Sequence, residues 1–223
     1  MKKPLFLPRW IIILVFFLLP VFFLSAKDFG LLLDQTGSYE STGDETELKY
    51  FGTLIPWFSA PVGQSSDLYI SAGATVQYEF KKWQIVPELL RTELTLRAEN
   101  GEVRIGRMLY TDTLGFISKG LFDGVQYSRD LAGGTVGIGA WYTGLLYKKN
   151  AHITMTEEEL ALYDSEFDYA DFYNTYFAPR RIIMALDWEH SAIKEFIKLG
   201  VSLIGQFDLS GNEILYHTQY IAA

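Results

Sequence analysis

The chain contains no cysteine. Disulfide stapling is therefore excluded, and so is a lipid-modified N-terminus, which needs a cysteine at its cleavage site. Histidine is scarce as well. His152, His190 and His217 lie in separate segments without metal-ligand spacing, so neither a metal nor a cofactor is expected. No G-x-S-x-G elbow and no phosphate-binding loop is present, which leaves the common hydrolase and nucleotide signatures unfilled. A basic excess is also missing, with 19 Lys plus Arg against 27 Asp plus Glu. Nucleic acid is an unsuitable partner for such a surface. Helical periodicity is almost absent.

The long apolar run sits at the start. Residues 1–26, MKKPLFLPRWIIILVFFLLPVFFLSA, carry Lys2, Lys3 and Arg9, then apolar side chains from Trp10 to Leu24, then Ser25 and Ala26. That order is expected of a secretory signal peptide. A retained anchor is the alternative, but the run is shorter than the roughly 20 residues a spanning helix needs, and Pro20 interrupts it. Cleavage after Ala26 removes three positive charges and leaves 16 Lys plus Arg against 27 Asp plus Glu, a formal charge of −11. The remaining residues, 27–223, are long enough for one domain with a sizeable core. They are rich in Tyr, Phe and Gly, the profile of an exported all-β protein.

Alternation along this region supports that class. In DLYISAGATVQYEF, Leu68, Ile70, Ala72, Ala74, Val76, Tyr78 and Phe80 share one face; Tyr69, Ser71, Gly73, Thr75, Gln77 and Glu79 share the other. In LRTELTLRAE the apolar face is Leu90, Leu94, Leu96 and Ala98, and the opposite face is Arg91, Glu93, Thr95, Arg97 and Glu99. Later segments repeat the pattern, with Met184, Leu186 and Trp188 against Ala185, Asp187 and Glu189. This period of two predicts about ten strands, near 29–37, 47–60, 67–80, 83–98, 102–110, 121–131, 134–149, 180–190, 196–208 and 212–222. Several are longer than the 5–6 residues usual in soluble sheets and suit tilted membrane-crossing strands. The three longest predicted connections, 38–46, 111–120 and 150–179, fall on one side of the sheet, as the outward loops of an outer-membrane barrel do.

The exported alternating chain, the segment RIGRM…LGFISKGLFDGVQYS and the glycine-aromatic strand GTVGIGAWYTGLLYKKN resemble porin-type outer-membrane β-barrels of diderm bacteria. The resemblance implies an antiparallel, up-and-down transmembrane barrel in the outer membrane, in contact with its lipid and with the barrel-assembly machinery. It also implies passage of small solutes. The C-terminal HTQYIAA departs from the aromatic ending common in such barrels. Two alternatives stand: Tyr220 is a displaced terminal aromatic, or the chain is a piece of a larger barrel.

Closure in a bilayer would put the leucine face of 90–98 against lipid and Arg91, Glu93, Thr95, Arg97 and Arg104 on the pore wall, since arginine facing lipid costs about 2–4 kcal/mol at the midplane. A soluble sandwich would instead bury the leucines. Asn100-Gly101 predicts a two-residue turn pairing Arg97 with Arg104, and a bulge near Gly106 is expected to place Arg107 at the interface or in the pore. The acidic connection 150–179 carries Glu157, Glu158, Glu159, Asp164, Glu166, Asp168 and Asp171 and no Lys or Arg. It reads as a solvated surface loop, as a constriction loop opposing the arginines, or, more weakly, as a calcium site at Asp164, Glu166, Asp168 and Asp171. Thr156 and Glu159 form a capping-box signature for a helix near 157–163. Asp187 and Glu189 are spaced for acid–base work, but a wall-lining pair is commoner and no catalytic residue is assigned. Trp57, Phe58, Trp83, Tyr110, Trp141, Tyr147 and Trp188 are expected in interfacial girdles. A porin-like passive channel is therefore expected, against the alternatives of a non-conducting barrel or a soluble periplasmic binding sandwich.

Overall fold

A computed structural model describes residues 28–42, 45–79, 82–115, 117–131, 133–151, 156–165, 167–192, 197–211 and 215–223. The predicted signal peptide, His152 and Glu166 lie outside these residues, as does the side chain of Asp164. The chain is all-β. Ten antiparallel strands form one sheet in sequence order: β1 (Asp28–Thr42), β2 (Glu45–Pro61), β3 (Ser66–Glu79), β4 (Lys82–Ala98), β5 (Gly101–Thr111), β6 (Lys119–Leu131), β7 (Gly134–Tyr142), β8 (Arg181–Ala192), β9 (Ile197–Asp208) and β10 (Thr218–Ala222). No ladder joins β1 to β10 among the described residues, so the sheet is open at these two edges.

The sheet is coiled. Tyr110 on β5 donates to Asp187 Oδ1 on β8 at 3.0 Å, although two strands lie between them; in a flat sheet they would stand about 14 Å apart. The concave face carries Ser71, Thr75, Gln77, Glu88, Glu93, Thr95, Asp187, Ser202 and Gln206. The convex face carries Leu54, Val76, Ile85, Leu89, Leu96, Ile105, Leu109, Val125, Ile138, Met184, Leu186 and Leu203, all exposed. Period-two alternation is intact over most strands, with apolar groups outside and, inside, polar groups together with a buried apolar set on β5–β9.

Where the sequence and the structure differ, local chemistry accounts for it. The β4–β5 turn is Glu99–Asn100, with Ala98 paired to Gly101 and Arg97 to Glu102. The expected Arg97–Arg104 pairing is thus corrected by two residues, which keeps each side chain on its face and replaces like charges with opposite ones. A Cβ on Gly101 would lie 2.5 Å from the Ser128 carbonyl oxygen, so glycine lets β5 close onto β6. β1 and β2 pair as far as Thr42 and Glu45, so the loop expected at 38–46 is mostly ladder. β7 stops at Tyr142 instead of running to 149, because Leu146 and Tyr147 turn into the concavity and are buried there. A bulge sets Leu90 and Arg91 opposite Ser71, between the pairs Ile70–Thr92 and Ala72–Leu89. It shifts the phase of β4 and brings Leu90 over Gly73 on the inner side, correcting its assignment to the outer face.

The concavity is filled over β5–β9, and the start of β4 is covered too, Val86 being buried with Tyr147, Phe167 and Tyr176. Met108, Tyr110, Phe122, Trp141, Leu146, Ile183 and Ile204 form a buried core between β5–β9 and the connection 143–180. That connection holds helix α1 (Glu157–Asp164) and helix α2 (Phe172–Tyr176). The other connections on its side are 43–44, 80–81, 112–118 and 209–217; on the opposite side they are 62–65, 99–100, 132–133 and 193–196. The asymmetry of lengths persists without the 38–46 loop.

Candidate functional site

A row of side chains crosses the concave face from β2 to β6. Trp57 on β2, whose indole lies over Gly30, stacks on Tyr69 of β3 with centroids 5.8 Å apart and planes 15° from parallel. The Arg91 guanidinium on β4 stands 4.7 Å from the Tyr69 ring centroid, a cation–π distance. Arg91 also donates from Nε and Nη2 to Glu93, at 2.8 and 3.1 Å. Arg104 on β5 grips the same carboxylate from Nε and Nη2, both at 2.8 Å, and reaches Gln126 of β6 at 3.1 Å. Thr95 Oγ1 adds a third donor to Glu93 at 3.0 Å.

The electrostatics follow from this count. Two guanidinium groups share one carboxylate, so the Arg91–Glu93–Arg104 cluster has a surplus positive charge. Glu93 is 2% exposed, Arg104 19% and Arg91 40%, so the carboxylate lies beneath and the cations face the concavity. Arg91 Nη1 has no acceptor among the described residues. Arg97 stands apart, bonded to Asp67 and 4.0 Å from Glu102, with both side chains of the Arg97–Asp67 pair exposed. The pore-lining residues predicted from sequence thus share one face, with Arg91, Glu93, Thr95 and Arg104 in contact and Arg97 separate.

Arg107 belongs to neither predicted role. It is 6% exposed, binds both oxygens of Asp123 at 2.8 and 2.7 Å, and donates to the carbonyls of Leu89 and Leu145. Gly106, with φ 113°, precedes it, and Arg107 and Met108 are consecutively buried. A kink at Gly106 is therefore present, while the β4–β5 register runs through it without a slip. Arg107 fastens the wall to the 143–180 connection.

The acidic connection turns inward along its apolar side. Tyr176 donates to the Pro87 carbonyl at 2.6 Å, and burial with the nearby Glu88 charge pushes its hydroxyl pKa up to about 12. Gln84 donates to the Phe167 carbonyl at 2.7 Å and Asn150 to Glu88 at 2.6 Å. The capping box is formed, Thr156 N donating to Glu159 at 3.0 Å and Glu159 N to Thr156 Oγ1 at 3.3 Å. Glu159 also receives fully buried Arg181 at 2.6 Å, and Arg181 binds Asp208 as well. Glu157 and Glu158 are exposed. Asp168 accepts from Ala170 N at 2.8 Å and Asp171 from Asn174 at 2.9 Å, both within local turns. The constriction reading is thus corrected in one respect: of the described acids of this connection, Glu159 alone forms an ion pair with arginine, and that arginine is Arg181. Among the described residues no group of three metal-ligating side chains occurs; the calcium reading also involves Glu166 and the Asp164 side chain, which lie outside them.

The aromatic residues expected in girdles divide between the two faces. Trp83 lies on the convex side against Tyr50 and Tyr78, at 5.9 and 5.0 Å, and Trp188 is exposed there. Tyr110, Trp141 and Tyr147 are buried inside, and Trp57 is on the inner wall. Asp187 accepts from Tyr110 and, at 2.6 Å, from Ser202, which ties β8 to its neighbour β9 and, across the concavity, to β5. Tyr69 was signalled by its phase with Ser71 and Thr75. Trp57 was not, because LIPWFSA is apolar on both phases. No protein-family model matches the chain, and no curated protein matches it.

Proposed function

We propose that the chain is outer-membrane β-structure, its convex face in lipid and its concave face lining a porin-like passage for small solutes. The carrying observation is the polarity of the two faces: apolar side chains are exposed along the whole convex side, while on β3–β5 the inward face holds polar groups bonded to one another beside the packed core of β5–β9. A soluble sandwich buries its apolar face, whereas here the convex face lies uncovered among the described residues. Strands of 11 to 17 residues in β1–β6 meet or exceed the length needed to cross a bilayer at a tilt. The Tyr50–Tyr78–Trp83 cluster suits one membrane interface. Spanning β-structure has to satisfy both sheet edges, so the reading requires β1 and β10 to be joined, directly or through further strands, into a barrel.

A non-conducting barrel is the second reading, favoured by the packed core between β5–β9 and the 143–180 connection. Two measurements separate the possibilities. Folded chain recovered in a periplasmic extract without detergent would sink membrane insertion. In planar bilayers the channel reading expects discrete conductance steps whose ion preference shifts toward cations in Arg104→Gln; a silent bilayer leaves the non-conducting barrel.

A further inference from the structure

Resting on the reading of the concave face as a solute passage, we propose that Trp57, Tyr69 and Arg91 form a binding station for small organic carboxylates with a flat apolar face. Three features converge there. The Arg91–Glu93–Arg104 cluster has two cations for one carboxylate, and Glu93 is already saturated by Arg91, Arg104 and Thr95. Arg91 Nη1 has no acceptor among the described residues, on a side chain 40% exposed. Beside it lies the stacked Trp57–Tyr69 pair, with Arg91 fixed over Tyr69.

Each feature selects part of a ligand. The unoccupied Nη1 donors and the surplus charge favour an anion, and a carboxylate matches a guanidinium edge. Glu93 keeps Arg91 from swinging toward other acids, so the donor edge is held in place before a solute arrives. The two parallel rings offer a flat apolar surface to the body of the solute. An inorganic cation is repelled by the cluster, and a neutral polar solute can accept from Nη1 but leaves the surplus charge uncompensated, a weaker bond than a carboxylate makes.

Benzoate is the probe, with benzyl alcohol as its neutral counterpart, titrated into the folded chain in detergent micelles at fixed ionic strength and followed by saturation-transfer NMR. Benzoate is expected to bind about tenfold more tightly than benzyl alcohol or more. Arg91→Gln is expected to erase that preference, and Trp57→Ala to weaken both ligands. Arg129→Gln, an equal charge change at an exposed position of β6, is expected to leave it intact. Equal binding of the two probes by the unmodified protein overturns the station, as does an Arg91→Gln variant that retains the preference. Because no bilayer is involved, the outcome is separable from conductance. A silent bilayer with selective benzoate binding removes the passage and keeps the station; a conducting protein indifferent to benzoate does the reverse.

Discussion

The two sides of the sheet use one alternating pattern to different ends. Across β2–β6 the inner face is a wall: polar groups bond laterally from strand to strand, and Trp57, Tyr69 and Arg91 stay partly accessible. Across β5–β9 the inner positions include Met108, Phe122, Trp141, Ile183 and Ile204, and the connection 143–180 packs into them. An inward phase therefore does not by itself make a lumen. Whether it lines space or core depends on whether a connection with apolar side chains folds back over it. Here Leu146, Ala151 and Ala178 do so over β5–β9, and Tyr147, Phe167 and Tyr176 do so over Val86 at the start of β4.

The largest expected effect attacks the filled side. Arg181 is fully buried between Glu159 of α1 and Asp208 of β9. Arg181→Ala leaves two carboxylates without their cation, a change expected to cost about 3–5 kcal/mol. Urea unfolding in micelles should show the loss, and limited proteolysis should cut within 143–180 before the strands. Unchanged proteolysis would mean that the connection is held by its aromatic contacts alone.

Gly106 lies near the border of the two regions. Its φ of 113° and the 2.1 Å approach of a Cβ to the Thr92 carbonyl oxygen leave no room for a side chain. Gly106→Ala is expected to destabilise by about 1–3 kcal/mol and to disturb both Glu93, its partner on β4, and Arg107, which follows it. A variant as stable as the parent would show that the kink is not required for either.

Next is the turn 112–118, which reaches the filled side through Thr113, donating to Ser202 at 3.0 Å. Asp112 accepts from the backbone N–H groups of Leu114, Gly115, Ile117 and Ser118 at 2.8–3.1 Å. Burial disfavours its charge, but these four donors outweigh burial and hold the carboxyl below the usual range. A depressed folded pKa means that the stabilisation is complete above the ordinary value of about 3.9 and is lost as pH falls through the folded value. Asp112→Asn is expected to cost about 1–3 kcal/mol near neutrality and to flatten this acid limb of stability against pH. An unaltered limb would assign it to other carboxylates.

What was legible in the sequence has a physical basis. The number and approximate places of the ten strands, and the faces of β3 and of β4 beyond its bulge, followed from alternation, because a side-chain period of two is fixed by the backbone. The capping box followed from Thr156 and Glu159, whose partners are three residues apart. The bulge opposite Ser71 was not legible, since Leu90 and Arg91 each fit either phase of the local pattern. Nor were the inward fates of Tyr110, Trp141 and Tyr147, because a ring near a strand end suits an interface or a core equally. Long-range partners decide between those two, and the 143–180 connection supplies them from distant sequence.

The smallest expected effect tests the wall itself. Arg97 and Asp67 are paired, yet their side chains are 52% and 41% exposed, whereas Arg104 lies over a carboxylate that is 2% exposed. Exposed pairs contribute about 0–1 kcal/mol. Arg97→Gln should therefore leave the unfolding midpoint nearly unchanged, while Arg104→Gln strips the buried Glu93 of its stronger clamp and should destabilise visibly. If both substitutions were equally mild, Glu93 would have to be hydrated in solution, and the wall would resemble an ordinary solvated sheet face. If both were equally severe, Arg97 would be tied to groups beyond Asp67 and Glu102, as a closed barrel mouth brings together. The contrast between two arginines on one face thus reports on how tightly the concave wall is sheltered, independently of whether anything passes along it.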